Sequence, residues 1–299
     1  MMNLLEKLAT RWLSRRAETQ PSALAAMEGL TPAVVITGGS SGIGLALAHE
    51  FAKRAEAIVL IARNKSRLDS AAATLTAQHP GVRIETCLFD IGHSDAVDML
   101  TTSLAEKRLY CDVLVNNAGV GQSGPFSASA PGGLDTLIAT NITAVARLTR
   151  AMLPDMLKRG RGGILSVASL GALIPGPHQA AYYASKAFVV SFSEAIRAET
   201  AGRGVRVAVI LPGPVETRFH ARMDAEGALY RYFLKAASPE RVAGLAMRGY
   251  RLGRGVIAPG MVPTLSVAVL RILPHAITVP VIRWLLNTGR PILPNDNGR

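Results

Sequence analysis

The sequence predicts an α/β fold, a doubly wound and mainly parallel sheet in a single domain. Three observations carry that expectation. From Ala33 onward, short β-branched runs alternate with longer stretches of helical spacing, the pattern of successive βαβ units. The runs are nearly continuous in apolar residues, as strands covered on both faces require. No linker or internal repeat divides the alternation, and 299 residues suit one large domain with a well-buried core.

The strands are read at 33–37 (AVVIT), 57–62 (AIVLIA), 82–89 (VRIETCLF), 112–117 (DVLVNN), 163–169 (GILSVAS) and 205–212 (VRVAVILP), with GVIAP at 255–259 as a seventh on the edge. Between them, residues 43–54, 66–78, 94–107, 134–158 and 180–202 repeat their apolar positions at helical spacing, several opened by Ser, Asp or Gly and followed by Gly or Pro. The expected organisation is an N-terminal amphipathic helical extension over 1–30, the sheet domain over 31–259 and an apolar, basic C-terminal extension over 260–299.

Composition narrows the function classes. A chain that is 49% hydrophobic and 18% charged is not disordered, and only 5% aromatic content points to aliphatic packing of helices on strands. Cys87 and Cys111 fall in or beside two apolar runs with no Cys/His ligand spacing around them, so neither a structural disulfide nor a metal site is expected. The opening MMNLLEKLATRWLSRR is interrupted by Glu6 and Lys7 and lacks the unbroken apolar core of a secretory signal, which predicts a cytoplasmic protein. The formal charge of +12 raises nucleic acid, an anionic membrane or a polyanionic cofactor as partners, while the plainest reading is a solvated basic face, with membrane attraction second. It is mostly arginine spread along the chain, without a dense basic run interleaved with aromatics, so no nucleic acid partner is expected.

The first strand runs through Thr37-Gly38-Gly39-Ser40-Ser41-Gly42-Ile43-Gly44 directly into a helix. Glycines there let the backbone turn sharply and approach a pyrophosphate, while the helix N-terminus offers free N–H groups and a positive dipole end. About twenty residues on, where an acidic side chain would hold the ribose hydroxyls of NAD, the second strand ends in Ala62-Arg63-Asn64-Lys65. Arg63 would instead pair with a 2′-phosphate through its planar fork of donors, so the predicted cofactor is NADP(H).

The glycine turn, Asn116-Asn117-Ala118-Gly119, Ser169, Tyr182-Tyr183-Ala184-Ser185-Lys186 and Pro212-Gly213-Pro214-Val215 occur in this order, and over residues 33 to 220 the chain resembles the short-chain dehydrogenases/reductases. The resemblance implies a Rossmann-type sheet ordered 3-2-1-4-5-6-7 with the cofactor across the strand C-termini. It also implies contacts of Asp90 and Ile91 with adenine, and of Asn117, Ala118 and Gly119 along the cofactor. Val215 and Thr217, after Pro212 and Gly213, would meet the carboxamide end of the nicotinamide. Asn141 matches the asparagine that holds a water relay, and family habit implies a homodimer or homotetramer through the helices at 134–158 and 180–202.

The chemistry follows from spacing. Tyr182 and Lys186 are four apart in a helical stretch and share a face, so the ammonium lowers the cost of ionising the phenol and reaches the nicotinamide ribose. A tyrosine that titrates near ~10 is otherwise a poor acid–base catalyst at neutral pH. Tyr183 competes for the role, but its spacing to Lys186 is three, and Tyr182 is preferred. Ser169, at the end of the fifth strand, would donate to a substrate carbonyl as charge develops on its oxygen. The expected activity is hydride transfer between NADP(H) and a carbonyl or secondary alcohol, reducing a lipophilic ketone of 3-oxoacyl or sterol-like type. An NAD(P)-linked alcohol dehydrogenase working oxidatively and a non-catalytic NADP(H)-sensing module are the alternatives.

Substrate choice is expected in 120–130, just after Ser169, and in a lid over about 213–237, where Phe219, Met223, Leu229, Tyr230 and Phe233 form a mostly apolar set. These residues suit a lipophilic substrate equally as well as the lid's own core. At the N-terminus, Met1, Leu4, Leu5, Leu8 and Trp12 recur at helical spacing beside Lys7, Arg11, Arg15 and Arg16. From Arg248 to Arg299 there are seven arginines, one aspartate and no lysine or glutamate, and prolines and arginines break every apolar run short of about 20 residues. Both ends fit peripheral membrane contact, and both fit packing on the domain or on a second subunit.

Overall fold

A computed structural model describes residues 20–25, 27–219, 236–270 and 272–286. After a short helix α1 (Pro21–Ala25), the chain runs β1 (Thr31–Thr37), α2 (Gly42–Ala52), β2 (Ala57–Ala62), α3 (Lys65–Gln78), β3 (Arg83–Leu88), α4 (Ala96–Glu106) and β4 (Leu109–Asn116). It continues through α5 (Pro131–Ile138), a π-helical turn (Ala139–Thr143), α6 (Ala144–Arg159), β5 (Gly162–Val167), α7 (Ala180–Glu199) and β6 (Val205–Ile210). The last described elements are α8 (Pro239–Arg251), β7 (Val256–Ile257), α9 (Met261–Leu270) and α10 (His275–Leu286).

The seven strands form one sheet in the order β3-β2-β1-β4-β5-β6-β7, and every pairing is parallel. The two-residue alternation of a strand divides its side chains between two cores. Val34 and Ile36 of β1, with Ile58 and Leu60 of β2, pack beneath α2, α3 and α8 through Leu47, Phe51, Leu75 and Met247. Ala33 and Val35, with Val59 and Ile61, face the other way onto Leu100 of α4 and Leu148, Met152 and Met156 of α6. A third cluster seats Val189 and Val190 of α7 on Val209 and Leu211. The order reverses between β1 and β4, so the chain leaves these neighbouring strands in opposite directions and a crevice opens at their C-terminal ends.

Several boundaries differ from the sequence reading. The helix expected over 134–158 begins at Pro131 and contains a π turn over Ala139–Thr143, a wider turn that re-aims one side chain. The fifth strand stops at Val167, which leaves Ser169 two residues beyond it as the N-cap of a 3-10 turn (Leu170–Leu173). Helix α8 was not anticipated, although Ser238 caps it by accepting from Arg241 N and Pro239 occupies its first turn. The apolar C-terminal runs form α9 and α10. The N-terminal amphipathic pattern, residues 220–235 of the expected lid and residues 287–299 lie outside the described residues.

Helix α2 approaches β1 and β4 closely at Gly44, where a Cβ would overlap the Asn117 amide nitrogen and the Gly38 carbonyl. Gly44→Ala is therefore expected to destabilise the fold by about 1–3 kcal/mol, while Gly81→Ala, which meets nothing within 4 Å, leaves stability near wild type. Thermal melts of the two variants check this; equal Tm values would show that α2 yields without cost.

Candidate active site

The turn after β1 is built from two glycines in left-handed conformation, Gly38 (φ 65°) and Gly42 (φ 57°). A Cβ at Gly38 would press on Ala118 and Asn117, so the glycine permits the turn to lie against the β4 exit. Thr37 fastens the two together: its hydroxyl donates to Val115 O (3.2 Å) and accepts from the N–H groups of Asn117 and Ala118 (3.0 Å each). The Asn117 amide returns the connection, donating to Thr37 O at 2.8 Å and Gly38 O at 3.2 Å. Asn116, one residue earlier, points the opposite way and donates to Thr149 Oγ1 of α6 (3.2 Å). Ser41 precedes α2 in an extended conformation without a side-chain cap bond, leaving the first-turn N–H groups facing the crevice.

At the β2 exit, Arg63 Nη1 donates to Asp90 Oδ2 at 3.0 Å. Burial alone would raise the Asp90 carboxyl, but hydrogen bonds from Gly92 N and Arg63 outweigh it and hold the group below the ordinary carboxylate range. Arg67, in the first turn of α3, faces the same region with a buried Nε that has no hydrogen-bond partner. The sequence reading missed it, because an arginine in a helical first turn beside the capping Asn64 reads as solvated surface.

At the other end, α7 carries both Tyr182 and Lys186 and buries them. Lys186 Nζ donates to Val167 O at 2.9 Å and lies 5.8 Å from the centre of the Tyr182 ring. Gly119 makes room for it: a Cβ there would come within 3.3 Å of the ammonium. Burial pushes the Lys186 pKa down to about 8. Tyr182 also meets Phe219, with ring centres 5.4 Å apart. Tyr183 is held differently, its ring lying against the backbone at Gly171 and Gly176, where any Cβ would strike it. Ser169 Oγ accepts from Gly171 N (3.1 Å), which orients the hydroxyl and leaves its proton available to a ligand.

Asn141 sits on the π turn, 1% exposed. Its amide grips Val120 twice, accepting from Val120 N (2.9 Å) and donating to Val120 O (2.8 Å), and its second N–H reaches Ser185 Oγ (3.0 Å). Ser185 in turn donates to Tyr182 O at 2.7 Å. Sequence reasoning singled out Asn141 but not Ser185, whose partner is 44 residues away.

A cleft of about 1420 Å3 connects these groups. Gly38, Ser40, Ser41, Gly42, Ile43, Arg63, Asp90, Ile91, Asn117, Ala118 and Gly119 line one arm; Ser169, Tyr182, Lys186, Pro212, Gly213, Val215 and Thr217 line the other. Three residues chosen from sequence stand behind the wall: Thr37 as the bridge between β1 and β4, Gly44 at the close approach of α2, and Asn141 as the clamp on Val120. The far end is closed by α9 and α10 through Val262, Leu265, Val269, Leu285 and Leu286. The sequence reading assigned no cleft wall to these helices, although MVPTLSVAVL carries no charge to mark it as solvent-facing.

Comparison with known proteins agrees with this architecture. A family model described as short chain dehydrogenase matches residues 32–227. The very-long-chain 3-oxoacyl-CoA reductase of Anas platyrhynchos is 38% identical over 195 residues, 64% of this chain and 62% of that one. The chain thus spans under two thirds of that relative's length. The sulfoacetaldehyde reductase of Chromohalobacter salexigens is 37% identical over 210 residues, covering 68% of this chain and 81% of its own. A solved short-chain dehydrogenase from Sphingobium yanoikuyae in complex with NADPH superposes with a TM-score of 0.70 at 30% identity, over 82% of this chain and 97% of that one. The chain belongs to the short-chain dehydrogenase family of oxidoreductases.

The burial of Lys186 has a consequence for stability. Its folded pKa, about 8, lies below the ordinary 10.5, so between those values the unfolded chain binds more protons and stability rises with pH. The penalty for burying the ammonium is fully present below pH 8 and vanishes above 10.5. Relative to a Lys186→Met variant, wild type should gain roughly 2–3 kcal/mol between pH 7 and pH 10. Urea titrations of both proteins at the two pH values test this, and a stability difference independent of pH would contradict it.

Proposed function

We propose that this protein is an NADP(H)-dependent reductase of lipophilic ketones, with 3-oxoacyl compounds as the substrate class. The observation that carries the reading is the joining, in one cleft, of a buried Lys186 ammonium near the Tyr182 ring with two arginines at the opposite arm and an apolar far wall. The NADPH-bound relative and the relative named for 3-oxoacyl-CoA reduction support it.

The residues present fit the cofactor. The left-handed glycines and the open N-terminus of α2 make a backbone cradle for a pyrophosphate. Ser40, Arg63 and Arg67 would hold the 2′-phosphate, the unpartnered Nε of Arg67 being a donor that an anion satisfies. Asp90 and Ile91 would receive the adenine, Asn117, Ala118 and Gly119 would lie along the middle, and Val215 and Thr217 would meet the carboxamide. Bound there, NADPH supplies the hydride for reduction.

The chain's own groups handle the oxygen and its proton. Ser169 donates a hydrogen bond to the substrate carbonyl, stabilising the charge that grows on it. Tyr182 transfers its phenolic proton to that oxygen, and the Lys186 ammonium stabilises the phenolate left behind. Asn141 positions rather than reacts: by gripping Val120 and Ser185 it fixes the loop after β4 against α7. Phe219 packs on Tyr182 and shields it from water.

Two outcomes test the reading. Tyr182→Phe should lower kcat for a 3-oxoacyl thioester by about 100- to 10,000-fold with little change in NADPH affinity; wild-type turnover in this variant would remove Tyr182 from the mechanism. Arg63→Asp should weaken NADPH by about 100-fold and NADH far less, measured by fluorescence titration, and equal effects on both would end the assignment of Arg63 to the 2′-phosphate.

A further inference from the structure

The outward surface of the C-terminal helices is unusual for a folded domain. Of the sixteen exposed large apolar side chains among the described residues, nine lie between Met261 and Trp284. Met261 is 90% exposed and Ile272 is 81% exposed, and Val262, Leu265, Val269, Ile277 and Val281 continue the surface along α9 and α10. Scattered apolar residues need no partner, whereas a contiguous group of this extent marks an interaction surface.

Charge identifies the occupant. From Leu252 to Asn295 the chain carries Arg254, Arg271, Arg283 and Arg290 and not one carboxylate or lysine. An apolar surface on a segment whose charged residues, as far as Asn295, are all arginines complements an anionic lipid surface, where the apolar side chains enter the acyl boundary and guanidinium groups meet the phosphates. A second copy of the chain would bring the same arginines face to face across a symmetric contact. The first nineteen residues bring no charge complement to these arginines either, since they hold one lysine and three arginines against two glutamates. Among the described residues no helix is long and apolar enough to cross a membrane.

The same two helices form the far wall of the cleft. Val262, Leu265, Val269 and Val281 are exposed and also line the cleft, so the apolar surface of these helices runs into the cleft. We propose that α9 and α10 are a membrane-docking element that seats the cleft mouth on an anionic bilayer and admits lipophilic substrate from the lipid phase. The docking surface stands independently of the proposed reaction; only the entry route rests on it.

Cosedimentation of the full chain with vesicles tests the docking without cofactor or substrate. Wild type should bind vesicles of equal phosphatidylglycerol and phosphatidylcholine at least tenfold more tightly than pure phosphatidylcholine vesicles. The double variant Met261→Glu/Ile272→Glu, altered at two exposed positions outside the cleft lining, should lose at least tenfold in that binding while keeping the wild-type circular dichroism spectrum and melting profile. Wild type that remains in the supernatant with anionic vesicles would overturn the proposal, as would a double variant that binds like wild type. A wild-type dimer that the same substitutions convert to monomer, with vesicle binding unaltered, would assign the face to a second copy instead.

Discussion

The fold depends on how β1 and β4 are joined where the strand order reverses. Those neighbours leave the sheet in opposite directions, and their ladder ends at the Ile36/Val115 pair. Thr37 and Asn117 do so by exchanging hydrogen bonds: one hydroxyl serves Val115, Asn117 and Ala118, and one amide serves Thr37 and Gly38. These bonds reach backbone groups at and just beyond the strand ends, in a partly buried place where a polar group left unsatisfied costs more than an ordinary bond returns. The glycine turn and the segment Asn117-Ala118-Gly119 thereby become one rigid floor for the cleft.

A second constraint builds on that floor. The loop after β4 is gripped at Val120 by Asn141, and Asn141 is linked through Ser185 to the carbonyl of Tyr182. The π turn brings Asn141 to that position by widening the helix between α5 and α6. The bare Gly119 lets the Lys186 ammonium approach closely, and Val167 O gives it a buried acceptor. Three strand exits, from β1, β4 and β5, are therefore coupled to one helix, α7. This part of the site is held by a hydrogen-bonded network in a dense interior.

The sequence revealed the parts of this arrangement that depend on local chemistry. Continuous apolar strands, a glycine turn ahead of a helix, and a Tyr/Lys pair on one helical face each follow from spacing, and the sheet order followed from the family resemblance carried by several motifs together. What stayed hidden depends on distant partners. Ser185 looks like filler between Tyr182 and Lys186 until Asn141 reaches it, and Arg67 looks solvated until its Nε is found buried at the cleft. Helix α8 opens on a legible N-terminus, Ser238 then Pro239, yet the sequence reading assigned no element to 238–251. Helices α9 and α10 carry apolar residues on nearly every side, so periodicity gave no direction, and only tertiary placement showed that they wall the cleft. The N-terminal amphipathic pattern and most of the expected lid lie outside the described residues.

In the proposed reaction the cleft delivers a hydride from NADPH to a ketone carbon while Tyr182 supplies the proton. Single-turnover reaction of a long-chain 3-oxoacyl thioester with NADPH deuterated on one face of nicotinamide C4 tests it most directly, with the product read by mass spectrometry and NMR. One of the two labelled diastereomers should place deuterium on the new carbinol carbon, one atom per NADP+ formed, and the other should transfer none. Product formation without deuterium at that carbon from either diastereomer, or NADPH that remains unoxidised while bound beside the ketone, would contradict it.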